Sequence, residues 1–302
     1  VSEDFDAAPI APLEFNIAER DLDNSGRAPR YRLTPNVRTE AAERRKMEQE
    51  LRLALSLDQL VLYYQPRVSL IDATRVGAEA LIRWPHRKRG LMPPAAFLPT
   101  AERTTLITRV GGWVLRTACC EAAQWADVGI VNVNISARQL ADGALMDQVA
   151  EALDVSGLAP DRLELDLGES MVMQPDVEVL LTLSAIRDLG VGLALDDFGT
   201  GYTSLGMLKR VPLTTLKIDR SLIRCLPGDG DEGAILQAMV DTGRALGLTV
   251  VGEGIETEEQ LSFLSACGCD EGQGFLFSHP LPAGHLFPIA GWAASDDRDR
   301  AA

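Results

Sequence analysis

The stretch Leu193–Gly201, LALDDFGTG, begins as a core strand and ends as a charged turn. Its apolar start, bounded by glycines, reads as a buried strand. Its end carries two adjacent carboxylates, Asp196 and Asp197. Charge at the end of a core strand is costly unless it is paired or coordinates a metal. A surface turn with a helix cap would account for the pair locally. A metal site would account for it only if other strands bring matching groups to the same place.

Outward from this strand the chain shows a regular rhythm. Candidate strands lie at 60–68, 74–83, 129–135, 162–167, 191–196, 214–219, 248–253 and 272–277. Helical patterns follow most of them, at 107–127, 143–156, 175–189, 232–246 and 257–266. Strand–helix alternation implies a mainly parallel sheet. About eight strands in one such run predict an α/β fold of the modified TIM (β/α)8 barrel type. An open doubly wound sheet is the alternative, but no GxGxxG fingerprint is present.

Side chains alternate faces along a strand. Val131, Val133 and Ile135 oppose Asn132, Asn134 and Ser136. Leu163, Leu165 and Leu167 oppose Glu164 and Asp166. Leu216 and Ile218 oppose Lys217 and Asp219, and Ala78, Ala80 and Ile82 oppose Glu79, Leu81 and Arg83. The apolar faces must meet the helices, which sends the polar faces into the barrel. Barrel interiors are ordinarily filled by Val, Ile and Leu. A wet sheet face would explain the polar residues, but helix-covered parallel strands have no such face.

At or near the C-terminal strand ends this places Glu79, Asn134, Asp166, Asp196, Asp197, Lys217, Glu253 and Gln273. Active sites of barrels are built there. Converging carboxylates repel one another, and one or two divalent cations would relieve that. A nearby lysine could orient or deprotonate a water. This is the composition of a two-metal phosphoester site.

The 302-residue chain is 46% hydrophobic and 24% charged, a globular composition with a sizeable core. Its formal net charge of −15 argues against a nucleic-acid polymer held by a broad basic surface. A small anion held by metals and a few donors is compatible with it. The five cysteines include no CxxC, and the three histidines form no HxxxH. Oxygen ligands, hence magnesium or manganese, are therefore expected in place of zinc. Unpaired cysteines, with neither a signal peptide nor a long apolar run in view, lead to the expectation of a cytoplasmic protein.

Four segments are expected. Residues 1–37 form a flexible segment or the remnant of an upstream domain. Residues 38–57 form a connector helix, in which Met47, Leu51, Ala54 and Leu55 share a face. Residues 58–292 form the barrel, and residues 293–302 a disordered tail.

The motifs themselves carry a resemblance over about residues 45 to 290. They are YYQP at 63–66, GAEALIRW at 77–84, VNVNISARQL at 131–140 and DDFGTGYTSL at 196–205. LKIDRSLI at 216–223, GEGIET at 252–257 and QGFLFSHPLP at 273–282 follow in order. The chain resembles the EAL-domain family of cyclic di-GMP phosphodiesterases. The resemblance implies hydrolysis of cyclic di-GMP to linear pGpG with magnesium or manganese, two ions per site. It implies Glu79, Asn134, Asp166, Asp196, Asp197 and Glu253 as metal ligands, with Asp196 bridging. Lys217 resembles the residue that holds the attacking water, and Gln273 one that assists at the metal–water cluster. Gln65, Leu81, Arg83, Asp219 and Glu256 resemble substrate contacts, and Glu169 the anchor of the loop after DDFG. A homodimer and an upstream sensory or GGDEF-type domain are implied as partners.

The chain departs from the family pattern at ELDLGE, 164–169, where the family reads Glu-Leu-Glu-Ile-Thr-Glu. Asp166 is shorter than the usual glutamate by one methylene, about 1.5 Å. Misplacement near 1 Å can cost about 100-fold in rate. Gly168 stands where threonine is usual. These two departures motivate an alternative function, a cyclic di-GMP receptor with weak or no turnover. A third reading, another barrel metalloenzyme acting on an enolate, rests on the polar interior alone. RKRG at 87–90 reads as a solvated loop. CGC at 267–269 reads as buried or free cysteines, and His279 either as a substrate contact or as a rim residue with no chemical role.

Overall fold

The structure, a computed structural model, describes residues 35–125, 129–173, 175–201, 205–226 and 231–286. Most of the expected N-terminal segment and all of the expected tail lie outside them. Chain contacts divide the protein into two units, residues 1–46 and 47–302. In the first, the described residues are helical, and 42–46 are exposed. They open a helix that runs from Pro35 to Ser56. In the second unit Met47, Leu51, Ala54 and Leu55 of that helix are buried, as their shared face predicts.

Among the described residues ten strands follow: β1 (Val61–Ser69), β2 (Arg75–His86), β3 (Gly90–Met92), β4 (Ile130–Ile135) and β5 (Leu163–Gly168). Then come β6 (Gly192–Phe198), β7 (Thr215–Ile218), β8 (Thr249–Glu253), β9 (Glu271–Gln273) and β10 (Leu281–Pro282). The ring runs β1, β9, β8, β7, β6, β5, β4, β2 and closes through β1 with β2. Strands β2, β4 and β5 to β9 are parallel neighbours, whereas β1 is antiparallel to both β2 and β9. The reason is local: the link between β1 and β2 is too short for a parallel crossover, which needs a dozen or more residues. The result is a closed eight-stranded α/β barrel.

The expected helices are present as Leu106–Ala122, Leu145–Ser156, Val177–Asp188, Asp231–Ala245 and Glu258–Cys267. Their ends follow from capping chemistry. Thr257 and Gln260 form a reciprocal capping box, and Gly268 ends that helix with φ +82°. Asp176 accepts from the Val179 amide at the start of another. Sequence periodicity missed the short β3 and β10. It also ran the last barrel strand to 277, whereas β9 ends at Gln273. Beyond it the chain bonds to Ile255, whose amide donates to the Gln273 carbonyl, and only glycine fits at 274, because a Cβ there would sit 2.1 Å from the Ile255 carbonyl oxygen.

The apolar strand faces lie under the helices, with Val131, Val133, Leu163, Leu165, Leu167 and Leu216 all fully buried. The opposite faces fill the barrel with polar groups. Side chains meet across the ring: Arg67 on β1 reaches Glu164 on β5, and Lys217 on β7 reaches Asp166 on β5. Among the described residues no helix is long and apolar enough to cross a membrane.

Candidate active site

The opening strand holds its carboxylates by a distortion. Pairing of β6 with β7 runs from Leu195–Leu216 to Phe198–Ile218, so β6 has one residue more than its partner over this interval. Asp197 takes φ +56°, an uncommon value for a residue with a side chain. The strand does not break at the acids, as its sequence suggests, but bulges and continues through Phe198. A bulge re-aims side chains at the rim of a barrel. Here it lets two adjacent acids serve one site. Oxygens of Asp196, Asp197 and Glu253 lie within 4.8 Å of one another.

Lys217 sits beneath them, 1% exposed. Its Nζ lies 2.9 Å from Asp166 Oδ2, 2.7 Å from Glu253 Oε1 and 3.4 Å from Asp196 Oδ1. Burial works against its charge, but Asp166, Glu253 and Asp196 together hold its pKa well above the lysine value. Burial pushes Asp166 up to about 7 against the pull of Lys217. Burial likewise pushes Glu253 up to about 8. Asp197 is raised to about 6 by burial and by neighbouring Asp196 and Asp219.

On the other side of the cleft, Asn134 Nδ2 donates to Glu79 Oε1 at 2.6 Å, and Gln273 Nε2 donates to Glu79 Oε2 at 2.7 Å. Gln273 also donates to Gln65 Oε1, and Gln65 donates to the Ser278 carbonyl. A cleft of about 170 Å³ opens here, lined by Gln65, Glu79, Glu253, Glu256 and Gln273 together with Arg220 and Phe275. Arg220 and Phe275 stand inside quoted motifs but carry no periodicity that marks them for the rim.

The other expected residues lie around this centre. Asp219 caps the turn Arg220–Ile223, accepting from the Ser221 amide at 2.9 Å and from its hydroxyl. Arg83 donates to the Ile82 carbonyl and lies over the Tyr63 ring, and Leu81 is half-buried; neither lines the described cleft. Glu169 Oε2 accepts from the Gly201 amide at 2.9 Å, at the loop after DDFG. His279 is exposed and stacks on Phe275. Arg87, Lys88 and Arg89 are exposed, and Cys267 and Cys269 are buried thiols.

A second polar layer lies under the first. Arg67 pairs with Glu164 and Glu271 at 2.6 Å each. Thr215 Oγ1 donates to Glu164 Oε2, and Asn132 Nδ2 donates to both Glu164 Oε1 and Asp166 Oδ1. Burial opposes ionisation of Glu164, but Arg67 and the hydrogen bonds hold its pKa below the usual value. Alternation already places Asn132 and Glu164 inside the barrel, and Arg67 shares a face with Gln65. That signal could have found this layer, although no chemistry singled it out.

The donor set fits hard divalent cations. It is carboxylate and amide oxygen, without thiol or imidazole, and Asp196 Oδ1 is buried without a hydrogen bond. Fold and site thus define a closed α/β barrel whose strand ends gather oxygen ligands around a buried lysine. Comparison then places it: the EAL domain profile matches residues 48–280, and the chain belongs to the EAL domain family. It is 44% identical over 255 residues to the bifunctional diguanylate cyclase/cyclic di-GMP phosphodiesterase MucR of Pseudomonas aeruginosa, covering 83% of this chain and 37% of that one. It is 42% identical over 250 residues to the cyclic di-GMP phosphodiesterase NbdA of the same organism, covering 82% and 32%. The chain therefore spans about a third of the length of these curated relatives. The solved PaMucR phosphodiesterase in complex with c-di-GMP superposes with a TM-score of 0.76 at 45% identity, covering 80% of this chain and 99% of that one.

Proposed function

We propose that this domain hydrolyses one phosphodiester bond of cyclic di-GMP, giving linear pGpG. The observation that carries this is the convergence of Asp196, Asp197 and Glu253 above Lys217, with Glu253 lining a cleft together with Gln65, Glu79 and Gln273. The c-di-GMP complex of the similar PaMucR domain supports the substrate.

Glu79, Asn134, Asp196, Asp197 and Glu253 would hold two magnesium or manganese ions. Bound there, the ions would neutralise phosphate charge and acidify a water. Lys217, kept protonated by its three acids, is a hydrogen-bond donor and not a base. Its task is to orient the attacking water in line with the scissile bond. Gln273 fixes Glu79 and would assist at the metal–water cluster. Gln65 and Glu256 line the cleft where a purine or ribose can dock; Arg83, Leu81 and Asp219 would complete the contacts from further out. A guanidinium such as Arg83 matches phosphate oxygens in shape and charge. Glu169 would hold the loop that follows the two aspartates.

The greater length of the relatives supports an upstream sensory or GGDEF-type domain joined through the helix at 38–57. A homodimer and a cytoplasmic setting complete the reading. A receptor that binds without hydrolysis is the less favoured reading, because the curated relatives above carry phosphodiesterase names. Incubation with cyclic di-GMP and manganese or magnesium tests the proposal: pGpG accumulates. Absence of product with either metal and an intact fold overturns it, and tight binding without turnover would favour the receptor.

A further inference from the structure

Asp166 is one of the two departures noted in ELDLGE, and its surroundings differ from those of the other acids. Both its oxygens are engaged by protein donors, Oδ1 by Asn132 at 3.1 Å and Oδ2 by Lys217 at 2.9 Å. Its side chain is 0% exposed, and Asn132 and Lys217 are 1% exposed each. Asp166 neither lines the cleft nor belongs to the group of acids whose oxygens cluster within 4.8 Å. Glu79 also has both oxygens engaged, but it lines the cleft and its partner Asn134 is exposed, so an ion can reach it.

Asn132 is itself held. The same amide nitrogen meets Glu164, which is fixed by Arg67 and Thr215, and Arg67 is tied to Glu271. This chain of buried groups crosses the barrel from β1 to β5 and ends on Asp166. Asn132 Oδ1 finds no hydrogen-bond partner, so the orientation of this side chain is set by the two carboxylates that its amide nitrogen meets, Glu164 and Asp166.

We infer that Asp166 is a positioning residue for Lys217, braced by Arg67, Glu164 and Asn132, and not a ligand of the catalytic cations. The inference rests on the function proposed above. The shorter side chain withdraws the carboxylate into the second layer, where it fixes the ammonium that must orient the water. The ions are left to Glu79, Asn134, Asp196, Asp197 and Glu253.

A crystal of the wild-type protein soaked in manganese tests this through anomalous scattering, independently of turnover. The expected map shows manganese in the cleft with Asp166 still on Asn132 and Lys217. Manganese within about 2.4 Å of an Asp166 oxygen, a coordination distance, overturns the inference while leaving the proposed function standing. A cleft without manganese overturns both. Manganese bound as expected, with no pGpG formed by the same protein, overturns the function and leaves the ligand assignment intact. In kinetics, Asp166→Asn lowers kcat by about tenfold or more, as for a misplaced group, while KM for cyclic di-GMP stays within about threefold. An unchanged kcat in that variant overturns the positioning role.

Discussion

Lys217 Nζ and Glu253 Oε1 lie 2.7 Å apart, on the neighbouring strands β7 and β8. The same nitrogen reaches Asp166 on β5 and Asp196 on β6, so one cation ties four strands of the barrel together. Breaking a buried ion pair from one side leaves charge without compensation, which typically costs roughly 3–5 kcal/mol. Lys217→Met should therefore lower turnover by about 100-fold or more, in the range of a lost positioned hydrogen-bond donor. It should also destabilise the metal-free protein in urea unfolding, more at pH 8 than at pH 6. At the lower pH, Asp166 and Glu253 can take up protons in place of the missing ammonium.

The same acids give the metal-free protein an inverted pH profile. Asp166 titrates at about 7 and Glu253 at about 8 in the fold, both raised first by burial. In the unfolded chain such groups titrate near about 4. Between those values the folded state holds protons that the unfolded state has released. Stability must fall as pH rises through that window. Lys217 is protonated throughout the window and adds no slope. Melting curves in a chelator from pH 5 to 8.5 should show the decline, and manganese should raise Tm more at pH 8 than at pH 6 because binding displaces protons. A flat profile in chelator would contradict the assignment.

The barrel was legible because its periodicities are strong: alternating strands such as VNVNIS and LELDLG, then helices with identifiable caps. The antiparallel β1 follows from a link too short to cross over. The bulge at Asp196 and Asp197 was not legible, because it depends on pairing with β7, which a single strand does not display. Nor did sequence reveal that Asp166 faces Asn132 and Lys217. Alternation assigns a face, but the depth of a side chain within the barrel is set by strand tilt and by its length. Arg220 and Phe275 escaped for a related reason: they follow strand ends, where periodicity stops.

The lower layer makes a separate stability prediction. Arg67 is 1% exposed and faces both Glu164 and Glu271. Arg67→Met leaves a buried acid, Glu164, and a half-buried one, Glu271, with no cation between them, and urea unfolding should register a loss of roughly 3–5 kcal/mol. Adding Glu164→Gln to that variant should recover part of the loss, because it removes one of the stranded charges. Additive losses would show that the pair is not coupled.

In the loop after the aspartates the Gly201 amide donates to Glu169 Oε2 at 2.9 Å. A Cβ at Gly201 would lie 2.7 Å from Glu169 Oε1, so the position is closed to side chains. Glu169→Ala should speed exchange of the Gly201 amide and weaken manganese binding by about tenfold or more, as removal of outer-shell partners does. Glu169→Gln retains an acceptor and should fall between the two. Hydrogen exchange and calorimetry read these effects separately.

Gly168 offers the converse case. It occupies the N-cap of the turn Glu169–Val172 with φ −59° and ψ 146°, values open to any residue. A Cβ there would meet nothing within 4 Å. Glycine at such a position costs unfolded-chain entropy, and its replacement typically gains about 0.4–1 kcal/mol. Threonine would also supply a hydroxyl for the free amides of the turn, worth a few tenths of a kcal/mol more. Gly168→Thr should thus raise the urea midpoint, leave kcat within about threefold and leave the Glu169–Gly201 contact in place. A lower midpoint would mean that the segment needs glycine's freedom, and that the departure at 168 has a conformational purpose.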